Sequence, residues 1–431
     1  MADSSDLTTT AFRYMSRFRC IGPACEASCC GWWTITVDRA HYNQTKHAMR
    51  ETPEERREFD AKVKRVKGPT KSDARYALMV LNNRECGFLN EERLCSLQVR
   101  YGEEVLSDTC SQYPRSLSSS GSRLELTGTT SCPEVARQLL LHADALELDE
   151  VPAAMMGRHL LRQILPDHPV DPYKRYHDEL RNLVLDVLSD RRFDLGMRLS
   201  QVAYFGDRTR PFLHAGVATL DEARLSAEVE RIHDPNQRTA LAREFAKLNP
   251  PASLALRIAF GFVLHCSGQP RFEELRMAVL RSYHPSISAS LTADSEDFER
   301  VGQAILQAYE QRKKDFHRFA PRIDQALANY AKNYWVRQWY ASSHDLLTHT
   351  MTLLVLLAAI RFMVLGHPLL AETAGLRSEQ QGELVDRALV EIVFRFSRTF
   401  EHGPNLLETM REDLEKKKLV TLAHAVSLAR F

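Results

Sequence analysis

"CIGPACEASCCGWW", Cys20–Trp33, places four cysteines within eleven residues, two of them adjacent, and ends on two tryptophans. Such a run is a metal site, a disulfide knot or a redox switch. Most of what the sequence says about fold and function turns on that choice.

The chain has 431 residues and nine cysteines. Eight of them, Cys20, Cys25, Cys29, Cys30, Cys86, Cys95, Cys110 and Cys132, lie in the first third, and Cys266 stands alone. The start of the chain, "MADSSDLTTTAFRYMSRFRC", has no apolar h-region and no small-residue cleavage site, so a cytoplasmic location is expected. Thiols stay reduced there, which disfavours a disulfide framework and leaves metal binding. Four thiolates suit tetrahedral zinc or an iron–sulfur cluster. The arrangement is C-x4-C-x3-C-C, then C-x8-C, C-x14-C and C-x21-C, with no C-x2-C zinc knuckle. Neighbouring side chains such as those of Cys29 and Cys30 are expected to diverge, so they need not meet at one ion. A polynuclear cluster accepts ligands from several directions, so an iron–sulfur cluster of the 4Fe-4S type is expected, with zinc as the alternative metal. All eight are candidate ligands. They make two four-thiolate sites, or one cluster with the remainder buried as small apolar residues. Cys266, after an apolar helix in "LHCSG", reads as packing.

The length suits two or three domains. The composition is globular, 44% hydrophobic and 26% charged, and a net charge of +1 gives no electrostatic footprint for nucleic acid. The apolar run Met351–Ile360 is shorter than the ~20 residues of a membrane span and reads as a buried core helix. The expected fold is mainly α, with a cysteine-rich metal-binding domain at 1–150 containing few short strands, then an all-α domain at 151–431. "WWTITV" (Trp32–Val37) and "SRLELTGTT" (Ser122–Thr130) read as strands, "SQYPRSLSSSGSR" as turn-rich, and Asp38–Lys67 as one or two exposed helices. Beyond Ala153, helical spacing dominates, with Asp294, Ser295 and Ser343 as candidate caps.

Three segments, "FRCIGPACEASCCGWWTITVD", "ECGFLNEERLCSLQVRYGEEVLSDTCSQYPR" and "TSCPEVAR", resemble the flagellin lysine-N-methylase family and, more widely, cysteine-rich zinc- or iron-chelating domains. Cys86 stands in a C-x-F-L element and Cys110 in a C-x-x-[FY]-P element. The C-x4-C spacing of Cys20 and Cys25 departs from the shorter C-x-x-C of the wider group, so the resemblance leaves open which of the two is the counterpart ligand. "LRNLVLDVLSDRRFDLGMRLSQV" is similar to the helical part of those methylases. The resemblance implies methyl transfer from S-adenosylmethionine to surface lysines of flagellin by an enzyme that contains an iron–sulfur cluster.

No Gly-rich loop follows a strand, β-α alternation is absent, and the C-x3-C-x2-C radical motif fails because Trp32 occupies its third position. A cluster with one iron free of protein ligand offers a different cradle for the donor's amino and carboxylate groups. Trp32 and Trp33 would then face the sulfonium, although packing over a metal centre is their simpler role. Tyr334, Trp335, Trp339 and Tyr340 in "NYWVRQWY" read as a core face. His317, His344 and His349 read as surface or packing residues. The rival function is a non-enzymatic iron–sulfur or zinc protein, either a metal or electron carrier or a docking module.

Overall fold

The computed structural model describes residues 8–31, 33–121, 123–158, 161–166, 168–266, 268, 270–287, 296–371, 376–402 and 406–431. Trp32, Ser122 and the candidate caps Asp294 and Ser295 lie outside them. The chain forms two compact units, Met1–Gln138 with Glu147–Leu165, and Leu139–Leu146 with Pro166–Phe431. The division near 150 is therefore interleaved, because a strand at 161–165 returns to the first unit's sheet.

The first unit contains strands β1 (Thr8–Phe12), β2 (Thr36–Val37), β3 (Val63–Arg65), β4 (Ala77–Met79), β5 (Leu81–Asn82), β6 (Glu85–Cys86), β7 (Arg115–Ser120), β8 (Arg123–Gly128), β9 (Leu148–Glu150) and β10 (Leu161–Leu165). Its helices are α1 (Arg13–Ser16), α2 (Arg39–Ala48), α3 (Pro53–Lys62), α4 (Ser96–Tyr101) and α5 (Asp108–Gln112), and α6 (Pro133–Leu141) leads out of it. A mixed sheet runs β10-β7-β8-β1-β9. Strand β7 falls in the serine-rich stretch that reads as turn. It forms because Arg115–Ser120 pair residue for residue with Arg123–Gly128, and pairing overrides the weak strand preference of serine. Among the described residues of "WWTITV", Thr36–Val37 form the strand. The polar segment 38–67 gives two helices and β3. Asp38 caps α2, and Thr52 with Glu55 forms a capping box on α3. These helices are not wholly exposed, since Tyr42, Thr45 and Phe59 are buried.

The second unit is helical: α7 (His177–Ser189), α8 (Leu195–Thr209), α9 (Glu222–His233), α10 (Pro235–Lys247), α11 (Ala252–His265), α12 (Pro270–Tyr283), α13 (Glu296–Asp315), α14 (Ala320–Arg337), α15 (Leu346–Leu365), α16 (Pro368–Ala371), α17 (Ser378–His402), α18 (Leu406–Lys416) and α19 (Leu422–Ala429). At its centre α15 packs against α8, α11, α17 and α19. It is apolar all round, as a helix enclosed on every side must be, and every residue except Arg361 is buried. Its length and composition alone would suit a membrane span, but 94% of its apolar window is enclosed by the unit's other helices. The crossing with α8 is close, since a Cβ on Gly206 would lie 2.8 Å from the Leu347 nitrogen. The N-cap of α15 is Asp345, which accepts from the Thr348 N–H at 2.7 Å; Ser343 binds His349 instead.

Candidate metal centre

Four of the eight cysteines gather on one small apolar core. Cys86 ends the β5–β6 hairpin, whose turn residues Asn83 and Arg84 have positive φ. Its N–H donates to the Cys30 carbonyl at 2.7 Å, and Gly31 bridges to Glu85. That approach needs glycine, because a Cβ on residue 31 would meet the Arg84 carbonyl oxygen at 2.5 Å. Cys95 pairs with Leu89 at the start of α4, where the Asn90 side chain accepts from the Leu94 N–H at 2.8 Å. Cys110 sits in α5, which Ser107 caps. Cys86 belongs to the apolar cluster that includes Phe88, Leu97, Val105 and Leu106, and Cys30, Cys95 and Cys110 pack against that cluster.

Burial pushes the Cys86 thiol up to about 11 and the Cys110 thiol up to about 12, and it also raises Cys95. In each case an ionised Cys30 nearby adds to the rise. Cys30 itself is lowered to about 7, chiefly by hydrogen bonding from the Cys29 thiol, which is raised in turn. Cys29 and Cys30 thus do not diverge as residues of a strand would, because the chain turns here and the two sulfurs face each other.

The remaining cysteines lie apart from that core. The 3-10 turn Gly22–Ala24 separates Cys20 from Cys25. Cys132 is buried just ahead of α6, where burial raises its thiol to about 11 and the charges of Cys25 and Cys20 add to the effect. Arg137, one turn into α6, pairs with both Glu134 and Glu26, which fastens the Cys25 loop to that end of the helix. Cys20 and Cys29 are exposed and Cys25 is half-buried. Cys29 senses both Cys110 and Cys132 and so stands between the two groups. Cys266 is buried in the second unit, its thiol raised by burial to about 12.

The donor set fits a thiophilic metal. A thiolate is the ligand, and a bound cation reverses the burial penalty that keeps these thiols protonated. Tetrahedral zinc with Zn–S near 2.3 Å holds its sulfurs about 3.8 Å apart. Among the described residues, the trio of ligand atoms lying within 4.8 Å of one another is Asp38, His41 and Asp108, and no cysteine trio is that tight. The Asp38 trio is already engaged: Asp38 caps α2 and binds His41 Nδ1 at 2.8 Å, while Asp108 pairs with Arg158 at 3.0 Å.

Trp33 donates from Nε1 to the Cys29 carbonyl at 2.9 Å and lies 6.0 Å from the Tyr113 ring, so it packs beside the cysteines. In the second unit Tyr334, Trp335, Trp339 and Tyr340 are core residues. Tyr334 and Trp335 flank His349, whereas Trp339 and Tyr340 lie against His177, groupings that sequence spacing does not reveal because the partners come from separate helices. The His349 ring lies 4.8 Å from Tyr334 and 4.7 Å from Trp335, with Nδ1 at 3.0 Å from Ser343 Oγ. Burial, with Arg411 and His177 nearby, holds the ring well below the usual imidazole range and therefore neutral. His344 is largely exposed and stacks on His214, and His317 is exposed.

Fold and site together define a mainly α protein with eight cysteines gathered in a small N-terminal unit, and with a mixed sheet where nucleotide-binding methyltransferases have a doubly wound one. Residues 181–428 match the FliB lysine N-methylase C-terminal domain, and the chain belongs to that family. It is 25% identical over 319 residues to the lysine-N-methylase of Salmonella typhimurium, covering 72% of this chain and 75% of that protein. The Salmonella choleraesuis lysine-N-methylase is 26% identical over 323 residues with the same coverage. The flagellar biosynthetic protein FliU of Salmonella muenchen is 29% identical over 150 residues, 34% of this chain and 84% of that one. No solved structure matches the chain.

Proposed function

We propose that this protein is an S-adenosylmethionine-dependent lysine N-methyltransferase that acts in the cytoplasm on surface lysines of flagellin and depends on an iron–sulfur cluster held by its N-terminal cysteines. The observation that carries the reading is the family match across the helical unit, joined to a thiolate constellation in the same chain. The flagellar name of one relative supports flagellin as acceptor. Eight clustered cysteines with no C-x2-C knuckle support a cluster over a single zinc ion.

In the reaction the methyl carbon's bond to the donor sulfonium breaks and a bond to the lysine Nζ forms. S-Adenosylhomocysteine leaves, and the ammonium proton passes to a base. Lysine has a reference pKa near 10.4, so desolvation or a base must supply the neutral amine. An iron–sulfur cluster, when bound, supplies iron able to hold the amino and carboxylate groups of the donor. The chain's own part is to hold and orient the thiolates. Trp33, anchored to the Cys29 carbonyl, provides an aromatic face beside them. The test is mass spectrometry of flagellin incubated with donor and anaerobically purified protein. Methyl-sized mass steps on lysine are expected; unmodified flagellin with fully iron-loaded protein would overturn the reading.

A further inference from the structure

The division of the cysteines goes beyond a single cluster. Cys30, Cys86, Cys95 and Cys110 share one apolar core and are tied by the Cys86 N–H to Cys30 carbonyl bond, the Gly31–Glu85 bridge and the Leu89–Cys95 bridge. Cys20, Cys25 and Cys132 belong to a different frame, built from the 3-10 turn, the start of α6 and the Glu26–Arg137–Glu134 bridge. One cubane-sized group takes at most four cysteines. A single site would therefore leave at least three clustered thiols idle, although they stand in a frame of their own.

We propose that the N-terminal unit holds two separate thiophilic metal sites. The inner site takes four thiolates, Cys30, Cys86, Cys95 and Cys110, from around one apolar core, Cys86 buried and the other three half-buried. The outer site uses Cys20, Cys25 and Cys132, with Cys29 on the boundary, and has solvent on one side because Cys20 is exposed and Cys25 half-buried. Three thiolates leave a coordination position that an external ligand can take, so the outer site is the one a substrate group reaches, and the inner one serves to hold the unit together. This assignment of roles rests on the proposed methyltransferase reading; the existence of two sites does not.

The experiment is elemental analysis for iron, zinc and acid-labile sulfide, with electron paramagnetic resonance of the reduced protein, on anaerobically purified full-length chain. Intact protein is expected to carry two metal groups per chain. Cys20→Ser/Cys25→Ser should lose about half of the metal and one of two spectral components, and Cys86→Ser/Cys110→Ser the other half and the other component. Should the inner variant fail to fold, chelation of the intact protein decides. A hydrophilic iron chelator should strip metal in two phases of similar amplitude, and the fast phase should vanish in Cys20→Ser/Cys25→Ser. One metal group per chain in intact protein, or complete metal loss in the Cys20→Ser/Cys25→Ser variant with unchanged circular dichroism, would overturn two sites. Methylation is not read here. Two sites without methyl transfer would refute the enzyme and keep this inference, and methyl transfer with one site would do the reverse.

Discussion

Metal uptake by the inner cysteines should release a number of protons that the structure sets. The perturbation is zinc titrated, as a probe, into metal-stripped Cys20→Ser/Cys25→Ser protein, so that the inner set dominates. Burial keeps Cys86 (about 11), Cys110 (about 12) and Cys95 neutral at pH 7, while hydrogen bonding from the Cys29 thiol lowers Cys30. Binding as thiolates then expels about three to four protons per site at pH 7. For Cys110 alone, the rise from 9.0 to about 12 makes ionisation about 4 kcal/mol costlier than in water, which the metal must offset. By linkage, apparent affinity should fall by roughly three to four powers of ten per pH unit on acidification near neutrality. Calorimetry in buffers of differing ionisation enthalpy counts the protons directly. Release of about one proton or fewer, or affinity flat between pH 6 and 7.5, would refute the idea that these buried thiols are the ligands.

Gly31→Ala drives a Cβ to 2.5 Å from the Arg84 carbonyl oxygen, so the Cys30–Cys86 ladder must shift; a loss of about 1–3 kcal/mol in denaturant unfolding is expected, together with lowered metal content. Asp345→Ala removes the α15 cap and the partner of Arg210, 3.0 Å from its buried carboxylate. It should cost about 2–4 kcal/mol in thermal unfolding without changing metal content, and a cost below about 0.5 kcal/mol would contradict the capping role. Cys266→Ser, in the second unit's core, should lower stability by about 1–2 kcal/mol and leave metal content unchanged on elemental analysis.

The parts legible in the sequence are those with local signatures. Helical spacing marks α7, α8, α14, α15 and α17 because period and burial coincide along one element. The eight cysteines stand out by clustering alone. What escapes is set by partners distant in sequence. Strand β7 exists through β8, and β1 pairs with β8 more than a hundred residues on. The sorting of cysteines depends on a hairpin that delivers Cys86 to Cys30, and on an arginine in α6 that pins the loop of Cys25. Ser343 and Asp345 are both good caps by type; Ser343 is taken by His349, a contact visible only once α15 is folded.

The central claim, cluster-dependent lysine methylation, is tested most directly with a donor carrying a deuterated methyl group. Flagellin is incubated with anaerobically purified protein, with the same protein stripped of metal, and with stripped protein reconstituted with iron and sulfide, and its lysines are read by mass spectrometry. Labelled methyl on lysine is expected with the purified and the reconstituted protein and not with the stripped protein. Equal labelling by stripped protein, or none by iron-loaded protein, would contradict the account.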